Sequence, residues 1–445
     1  MCKLNCFFHK DFLQRTVIIL TVYVVRPGDS IYSIARAFGV TPQSIIEPNG
    51  LLNPSQLVVG QTLVIPTTDQ NYTVRSGDTI YSIARRFGVT QNAIFSANPN
   101  IGADGRIFPG QVIVIPGTER KLGTIEVNGY IFPGSDESVV RPALPLLTYL
   151  SIFSYQVNSD GSLTNIDDEK WIQIARENRV APIMVIANIR ESGGFSSDIA
   201  SAIFASESVQ DTLINNVVNT LREKNYYGLN IDFEYVYPSD RENYNNFLQK
   251  ITERLNALGY IVLTALAPKL SGDQQGLLYE AHDYPAHGRI ADRVILMTYE
   301  WGYLAGPPQA VAPLREVRRV LDYAVTVIPR NKILMGIPNY GYDWVLPYRR
   351  GTLATTFSNI EAVNRAFRNR AEIKFDESAQ SPYYNYYDDQ RRQHVVWFED
   401  ARSIRAKLML VDEYNLAGIS YWTIERPFPQ NLLVLNSMYN IRKVI

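Results

Sequence analysis

Apolar and polar positions alternate with period two over residues 228–236. Leu229, Ile231, Phe233 and Tyr235 face one way, and Asn230, Asp232 and Glu234 the other. That alternation predicts a β-strand. Other apolar runs of strand length fall at 125–131, 147–156, 181–189, 260–268, 292–300, 332–339 and 416–423. Helical periodicity fills the intervals. Val209, Leu213, Ile214, Val217, Val218 and Leu221 make one apolar stripe ahead of 228–236. Behind it, Ser239-Asp240-Arg241-Glu242 reads as a capping box that opens a helix with Tyr244, Phe247, Leu248, Ile251 and Leu255 on one face. Eight β-runs separated by helices predict an α/β fold, a (β/α)8 barrel, over 123–445. Residues 345–415 are too many for a loop. Their tyrosine-rich and β-like runs at 383–387 and 393–399 predict an inserted α+β subdomain that walls one side of a cleft.

The N-terminal part repeats itself. Tyr23-Val24-Val25-Arg26-Pro27-Gly28-Asp29-Ser30-Ile31-Tyr32-Ser33-Ile34-Ala35 returns 49 residues later as Tyr72-Thr73-Val74-Arg75-Ser76-Gly77-Asp78-Thr79-Ile80-Tyr81-Ser82-Ile83-Ala84. A fixed offset means duplicated small units. In each, a short strand meets a Gly-Asp turn, where Asp29 or Asp78 is placed to cap a helix. Ile31, Ile34, Ala35 and Phe38 give that helix an apolar face, as do Ile80, Ile83, Ala84 and Phe87, and Gly39 or Gly88 ends it. Thr41-Pro42 opens a second helix in the first unit. Strands at 62–65 and 112–115 close the units. This βααβ order, with Gly-Asp-Ser/Thr early and Gly-Gln…Ile-Pro late, resembles the LysM module over 22–66 and 72–116. The resemblance implies binding of N-acetylglucosamine-containing glycans. It carries the sugar groove to Gly28, Asp29, Ser30 and Ile31, and to Gly77, Asp78, Thr79 and Ile80.

Composition narrows the classes. The chain has 445 residues, enough for two or three domains, and a net charge of −1, which suggests neither a nucleic-acid nor a membrane-surface partner. Its two cysteines, Cys2 and Cys6, leave the body without a disulfide framework, and His9, His282, His287 and His394 have no ligand spacing, so no metal or cofactor is expected. No run beyond the start is long enough to span a membrane. The apolar run at 16–25 lacks a cleavage site and continues into a strand, so residues 1–21 read as a disordered leader rather than a signal peptide.

The polar face of 228–236 carries the chemistry. Residues two apart on a strand lie roughly 6.5–7 Å apart. Asp232 and Glu234 are therefore neighbours on one face, and two like charges there raise a carboxyl pKa. A carboxylic acid kept protonated near neutrality is what a glycosidase needs to protonate a leaving oxygen. A strand with its polar face in water would also alternate. The helices on both sides argue instead for a covered parallel sheet, whose polar face points into a barrel mouth. Aromatics at the ends of later runs (Tyr299 and Trp301, Tyr340 and Trp344, Tyr421 and Trp422) favour a sugar cleft.

The same stretch resembles the family-18 glycoside hydrolases, the chitinase-like enzymes. Their D-G-x-D-x-D-x-E stands here as Tyr227-Gly228-Leu229-Asn230-Ile231-Asp232-Phe233-Glu234. The last two acids are kept, and Tyr227 and Asn230 replace the first two. Met297-Thr298-Tyr299-Glu300 is similar to the family's Met-x-Tyr-Asp, and Trp422 to its eighth-strand tryptophan. Glu-Ala-His-Asp-Tyr at 280–284, Phe-Glu-Asp-Ala-Arg-Ser at 398–403 and Pro-Phe-Pro-Gln-Asn at 427–431, behind paired LysM modules, look closer still to its spore-cortex-lytic glucosaminidases. The resemblance implies a substrate-assisted, retaining reaction. Glu234 is the acid and base, Asp232 holds the acetamido N–H, Tyr299 its oxygen, and Trp422 floors the sugar. Asn230, Glu300 and Tyr340 join the substrate-binding set.

Both resemblances name a 2-acetamido sugar, so peptidoglycan or a chitin-like glycan is the expected partner. Muramic acid in lactam form has no free acetamide, which directs cleavage to N-acetylglucosamine. The expectation is a monomeric glycosidase of the spore cortex, coat or cell wall, made without a signal peptide. A chitinase is the nearest alternative, and a non-catalytic glycan-binding coat protein the alternative from another class.

Overall fold

The computed structural model describes residues 20–51, 53–65, 70–87, 91–102, 104–115 and 121–445. The expected leader lies outside them except for Leu20 and Thr21, and Thr21 already belongs to a strand. Gly88 also lies outside them.

In the first module, strand Thr21–Val24 pairs antiparallel with Thr62–Ile65 and brackets helices Ile31–Phe38 and Pro42–Ile46. Strands Gln70–Thr73 and Val112–Ile115 do the same for helices Ile80–Phe87 and Gln91–Ala97 in the second. The helix cap differs from the expectation. Ser30 is the cap, in a reciprocal box with Ser33. Asp29 instead accepts from Tyr23 Oη at 2.6 Å and the Arg26 amide at 2.8 Å, which fixes the turn before the helix. Gly28 and Gly77 both sit at φ +84°, a backbone conformation that costs glycine little. An asparagine stitches each module: Asn49 Nδ2 donates to Ile45 O and Val64 O, and Asn98 Nδ2 to Ile94 O and Val114 O.

The rest of the chain forms a closed parallel barrel. Its strands in order are Gly123–Ile131, Tyr149–Gln156, Ala181–Ala187, Gly228–Asp232, Ile261–Leu266, Arg293–Leu296, Ile333–Pro338 and Gly418–Trp422, and the last pairs with the first from Gly418↔Glu126 to Tyr421↔Gly129. Side chains alternate between two cores. Ile183, Val185, Leu263, Ala265, Ile295 and Leu334 fill the barrel interior. Met184, Ile186, Val262, Leu266, Val294 and Met335 face the helices. The stripe expected ahead of the fourth strand is buried on helix Glu207–Glu223, apart from half-buried Val209.

Three expectations need correction. The expected capping box is absent: Pro238–Asp240 forms a 3-10 turn, so Ser239 lies inside the turn and Asp240 caps helix Arg241–Asn256 without a side-chain bond. The fourth and sixth strands stop at Asp232 and Leu296, short of 236 and 300. Beyond Asp232 the backbone of Phe233 and Glu234 is held by the His282 and Asn188 side chains, whereas beyond Leu296 the Met297 amide still donates to Leu266 O of the fifth strand. The inserted sheet starts earlier than 345. Its five strands, in the order Thr355–Phe357, Gly341–Leu346, Gln393–Trp397, Ser381–Tyr387 and Lys374–Asp376, carry helix Asn359–Arg368. Asn339, the last residue of the 332–339 run, separates the seventh barrel strand from Gly341–Leu346, and its Nδ2 donates to Thr423 O and Arg426 O. Helix Ala401–Tyr414, inside the 345–415 interval, buries Ile404, Leu408 and Val411 in the barrel's outer core rather than in the insertion.

The first module is packed onto this body. Gln430 Nε2 donates to Thr62 O and Asn49 Oδ1, the Ile373 amide donates to Val59 O, and Val58 enters the insertion's core beside Phe357, Ile373 and Phe398. The second module's core consists of its own residues.

Candidate active site

Asp232 ends the fourth strand and Glu234 follows in the turn beyond it, at the C-terminal mouth of the barrel. Asn188, just past the third strand, clamps Glu234 by its backbone. Its Oδ1 accepts from the Glu234 amide at 3.0 Å, and its Nδ2 donates to Glu234 O at 2.9 Å. His282 holds the residue before. Its Nδ1 accepts from the Ala267 amide at 2.8 Å, so its Nε2–H donates to Phe233 O at 2.9 Å. Burial lowers the His282 pKa to about 4, so this tautomer stays neutral. The fixed backbone sends both carboxyls into a cavity of about 290 Å³ with Tyr299, Glu300 and Trp422.

Trp422 forms one wall, set edge-on to Phe153 (5.0 Å between centroids) and Tyr130 (5.2 Å). Tyr299 is buried, and its hydroxyl pKa is pushed well above the usual phenol range by burial, then by Tyr130 and the nearby acids, so it remains a donor. Asn230 lies beneath Asp232, fully buried, with Nδ2 donating to Tyr130 Oη. It does not reach the cavity. Nor does Tyr340, which with Tyr342 donates to the Glu300 carboxylate. Glu300 is exposed at the rim, but its carboxylate end is packed among these rings. That desolvation raises its pKa, against the two phenol hydrogen bonds that lower it.

Burial, rather than the like charge alone, is the largest cause raising the pKa of both carboxyls. Desolvation lifts Asp232. Glu234 is lifted by desolvation first, then by Asp232 and Glu300. Asp232 Oδ1 and Asn230 Oδ1 have no hydrogen-bond partner among the described residues. The site thus holds an acid whose pKa is pushed up, a second carboxyl beside it and an aromatic wall, a set suited to protonating an oxygen and stabilising positive charge beside it.

The module loops stand apart from this cavity. Ile31 and Ile80 are core residues of their modules. Ser30 and Thr79 form helix-cap hydrogen bonds with Ser33 and Ser82, and Asp78 accepts from Tyr72 Oη and the Arg75 amide as Asp29 does in the first module. Sequence reasoning missed Asn188, His282, Tyr130 and Phe153. Asn188 is a polar residue at the end of an otherwise apolar run, which is the only signal it leaves; His282 lies in a loop remote from the strand it holds.

A closed (β/α)8 barrel with paired carboxyls and an aromatic wall at its C-terminal mouth, preceded by two small βααβ modules, is the architecture of a modular glycosidase. The match to Glycosyl hydrolases family 18 covers residues 127–426, and LysM domains match 23–66 and 72–116. The chain belongs to glycosyl hydrolases family 18. It is 44% identical over 431 residues to the cortical fragment-lytic enzyme of Bacillus subtilis (strain 168), covering 95% of this chain and 99% of that one. A second such enzyme, from Bacillus anthracis, is 42% identical over 433 residues, covering 96% and 100%. The crystal structure of the spore cortex-lytic enzyme SleL of Bacillus megaterium QM B1551 superposes with a TM-score of 0.90 at 44% identity, over 96% of this chain and 100% of that one.

Proposed function

We propose that this protein is an N-acetylglucosaminidase of bacterial spore-cortex peptidoglycan, anchored to the glycan by its LysM modules. The observation that carries this reading is Glu234, its pKa raised by burial, beside Asp232 in one cavity with Trp422. The near full-length likeness to cortical fragment-lytic enzymes supports the substrate. It likewise supports residence at the spore or cell wall.

Glu234 donates its proton to the glycosidic oxygen as the C1–O bond breaks. The acetamido carbonyl oxygen of the same sugar attacks C1 and closes an oxazolinium ring. Asp232, which lines the cavity, accepts the acetamido N–H and offsets the ring's positive charge. Tyr299 donates to the acetamido oxygen, and Trp422 supports the distorted ring. Glu234, now a carboxylate, takes a proton from water, which opens the ring with net retention. Asn230 fills the place of an acid, so Asp232 has an amide and a phenol below it rather than a second carboxyl. Only a sugar with a free acetamide supplies the nucleophile, so where muramic acid is in its lactam form the new reducing ends are N-acetylglucosamine.

The test is digestion of purified cortex peptidoglycan beside chitin oligomers, with mass spectrometry of the new reducing ends. Fragments ending in N-acetylglucosamine, absent with Glu234→Gln, are expected. Cleavage of chitin alone would make the protein a chitinase. Binding of both glycans with cleavage of neither would sink the mechanism.

A further inference from the structure

His282 of the Glu-Ala-His-Asp-Tyr stretch at 280–284 holds Phe233, and the rest of that stretch shapes the segment 267–284 behind the fifth strand. Tyr284 Oη donates to Ala267 O at 2.7 Å and accepts from the Lys269 amide at 2.9 Å, which closes the segment on itself. Glu280 Oε1 accepts from the Gly276 amide at 2.9 Å, and the Tyr279 amide donates to Gly276 O at 2.8 Å. Asp283 caps helix Tyr284–Ile290 and pairs with Arg241 at 2.8 Å. Lys269, 1% exposed, donates from Nζ to His282 O at 3.1 Å and has no carboxylate partner among the described residues. Burial, and then Arg241, lower its pKa. A cation so deep and unpaired is a cost, and what it secures is the shape of this segment.

That shape delivers Leu278 and Tyr279 to the catalytic cavity. The Tyr279 ring lies against Gly276, which sits at φ +125° and whose Cβ, were there one, would come within 3.1 Å of Tyr279 Cδ2. Only glycine leaves that room and takes that backbone freely. The ring is thus in place before any ligand arrives, while its hydroxyl has no hydrogen-bond partner among the described residues. Strand order tells which side of the reaction it serves. The eighth, first and second strands are consecutive in the closed barrel and carry Trp422, Tyr130 and Phe153. The third, fourth and fifth lead into Phe195, Glu234 and Tyr279. The two groups stand on facing arcs of one mouth. With the reacting ring on Trp422, the oxygen that Glu234 protonates leads away from Trp422 and toward Phe195 and Tyr279.

We propose that Tyr279 is a specificity-determining residue of the leaving side. Its ring stacks on the sugar that departs, beside Phe195, and its hydroxyl hydrogen-bonds that sugar. The inference rests on the glycosidase reading above. One piece of chain then has two tasks: His282 fixes the backbone next to the acid, and Tyr279 holds the group that the acid protonates.

Kinetics of Tyr279→Ala on two probes test this. Soluble oligosaccharides released from spore cortex have a sugar as leaving group; the β-fluoride of an N-acetylglucosamine disaccharide has a single ion. On the oligosaccharides kcat/KM is expected to fall roughly tenfold or more, the usual worth of an aromatic contact with a hydrogen bond. The fluoride is expected to be hydrolysed as fast as by the unsubstituted chain. Tyr279→Phe, which keeps the ring, should recover most of the loss, and an unchanged melting temperature checks the fold. Equal loss on both probes, loss on neither, or cleavage of the fluoride alone overturns this inference and leaves the glycosidase standing. If the unsubstituted chain cleaves the oligosaccharides but not the fluoride, the crystal structure of the Glu234→Gln chain with the oligosaccharides decides. Sugar packed on Tyr279 supports the inference, and sugar that does not touch Tyr279 overturns it. Cleavage of neither probe by the unsubstituted chain overturns the glycosidase reading with it.

Discussion

In the proposed reaction Glu234 is protonated when substrate arrives and ionised when water attacks, so its pKa sets the pH window. Its desolvation and its neighbours Asp232 and Glu300 all push it up. Activity should therefore persist through neutrality and fall as pH rises past that pKa. Glu300→Gln removes one negative neighbour, which lowers the Glu234 pKa and moves the alkaline limb of a kcat/KM profile to lower pH. Glu234→Gln should lower kcat by about 10²–10⁴-fold, the usual worth of a general acid. It should also stabilise the fold at alkaline pH. A carboxyl whose folded pKa is raised contributes stability fully present below its unfolded pKa and lost as pH rises through the folded one, about 1.4 kcal/mol for each unit of displacement. Melting temperatures of the two proteins should thus agree near pH 4 and separate at pH 8, with the variant higher. The two carboxyls were legible because strand alternation puts them on one face. Their burial was not, since no local pattern records what covers a strand end.

The fourth strand stops at Asp232, and the backbone just beyond it is fixed by side chains from other elements. Asn188 reads both the amide and the carbonyl of Glu234, so Asn188→Ala should let the acid drift. A displacement on the order of 1 Å costs roughly 10²-fold in rate, and the loss should appear in kcat with KM little changed. Single-turnover kinetics on a soluble oligomer would separate the two. His282 adds an acid limit. Its folded pKa, about 4, lies below the ordinary value of 6.5. The stability it contributes is fully present above pH 6.5 and drains away as pH falls toward 4, about 3 kcal/mol in all. His282→Gln should flatten the pH dependence of unfolding across that interval in a denaturant titration. Helix faces such as Tyr244, Phe247, Leu248, Ile251 and Leu255 could be read from periodicity because packing follows the helical repeat. The clamps could not, because Asn188 lies 46 residues from Glu234 and His282 49 residues from Phe233, whose backbone groups they hold.

At the scale of the whole molecule the two modules share a sequence but not a setting. The repeat predicts equivalence, and within each module the strands, turn glycines and stitching asparagines agree. Nothing in a 49-residue repeat announces that one copy is docked. Docking depends on residues far along the chain: Gln430 reaches Thr62 and Asn49, and Ile373 reaches Val59. Gly60 marks the closest approach. It sits at φ +85°, and a Cβ there would lie 1.8 Å from Ile373 O. Gly60→Ala therefore adds both backbone strain and a backbone clash that no side-chain rotation relieves, a cost of several kcal/mol by comparison with overpacked cores at about 1–3 kcal/mol. Gly77→Ala in the second module carries a similar φ, but its Cβ meets nothing within 4 Å. The two substitutions thus share strain and differ in the clash. If the first module is a fixed part of the catalytic body, Gly60→Ala should expose the segment 55–62 and the facing helix starts to hydrogen exchange and lower the melting temperature of the barrel. Gly77→Ala should loosen only its own module, leaving exchange at the barrel unchanged. Equal effects of the two on the barrel would mean that the first module is no more coupled to catalysis than the second, and that the repeat's apparent symmetry holds in the folded protein.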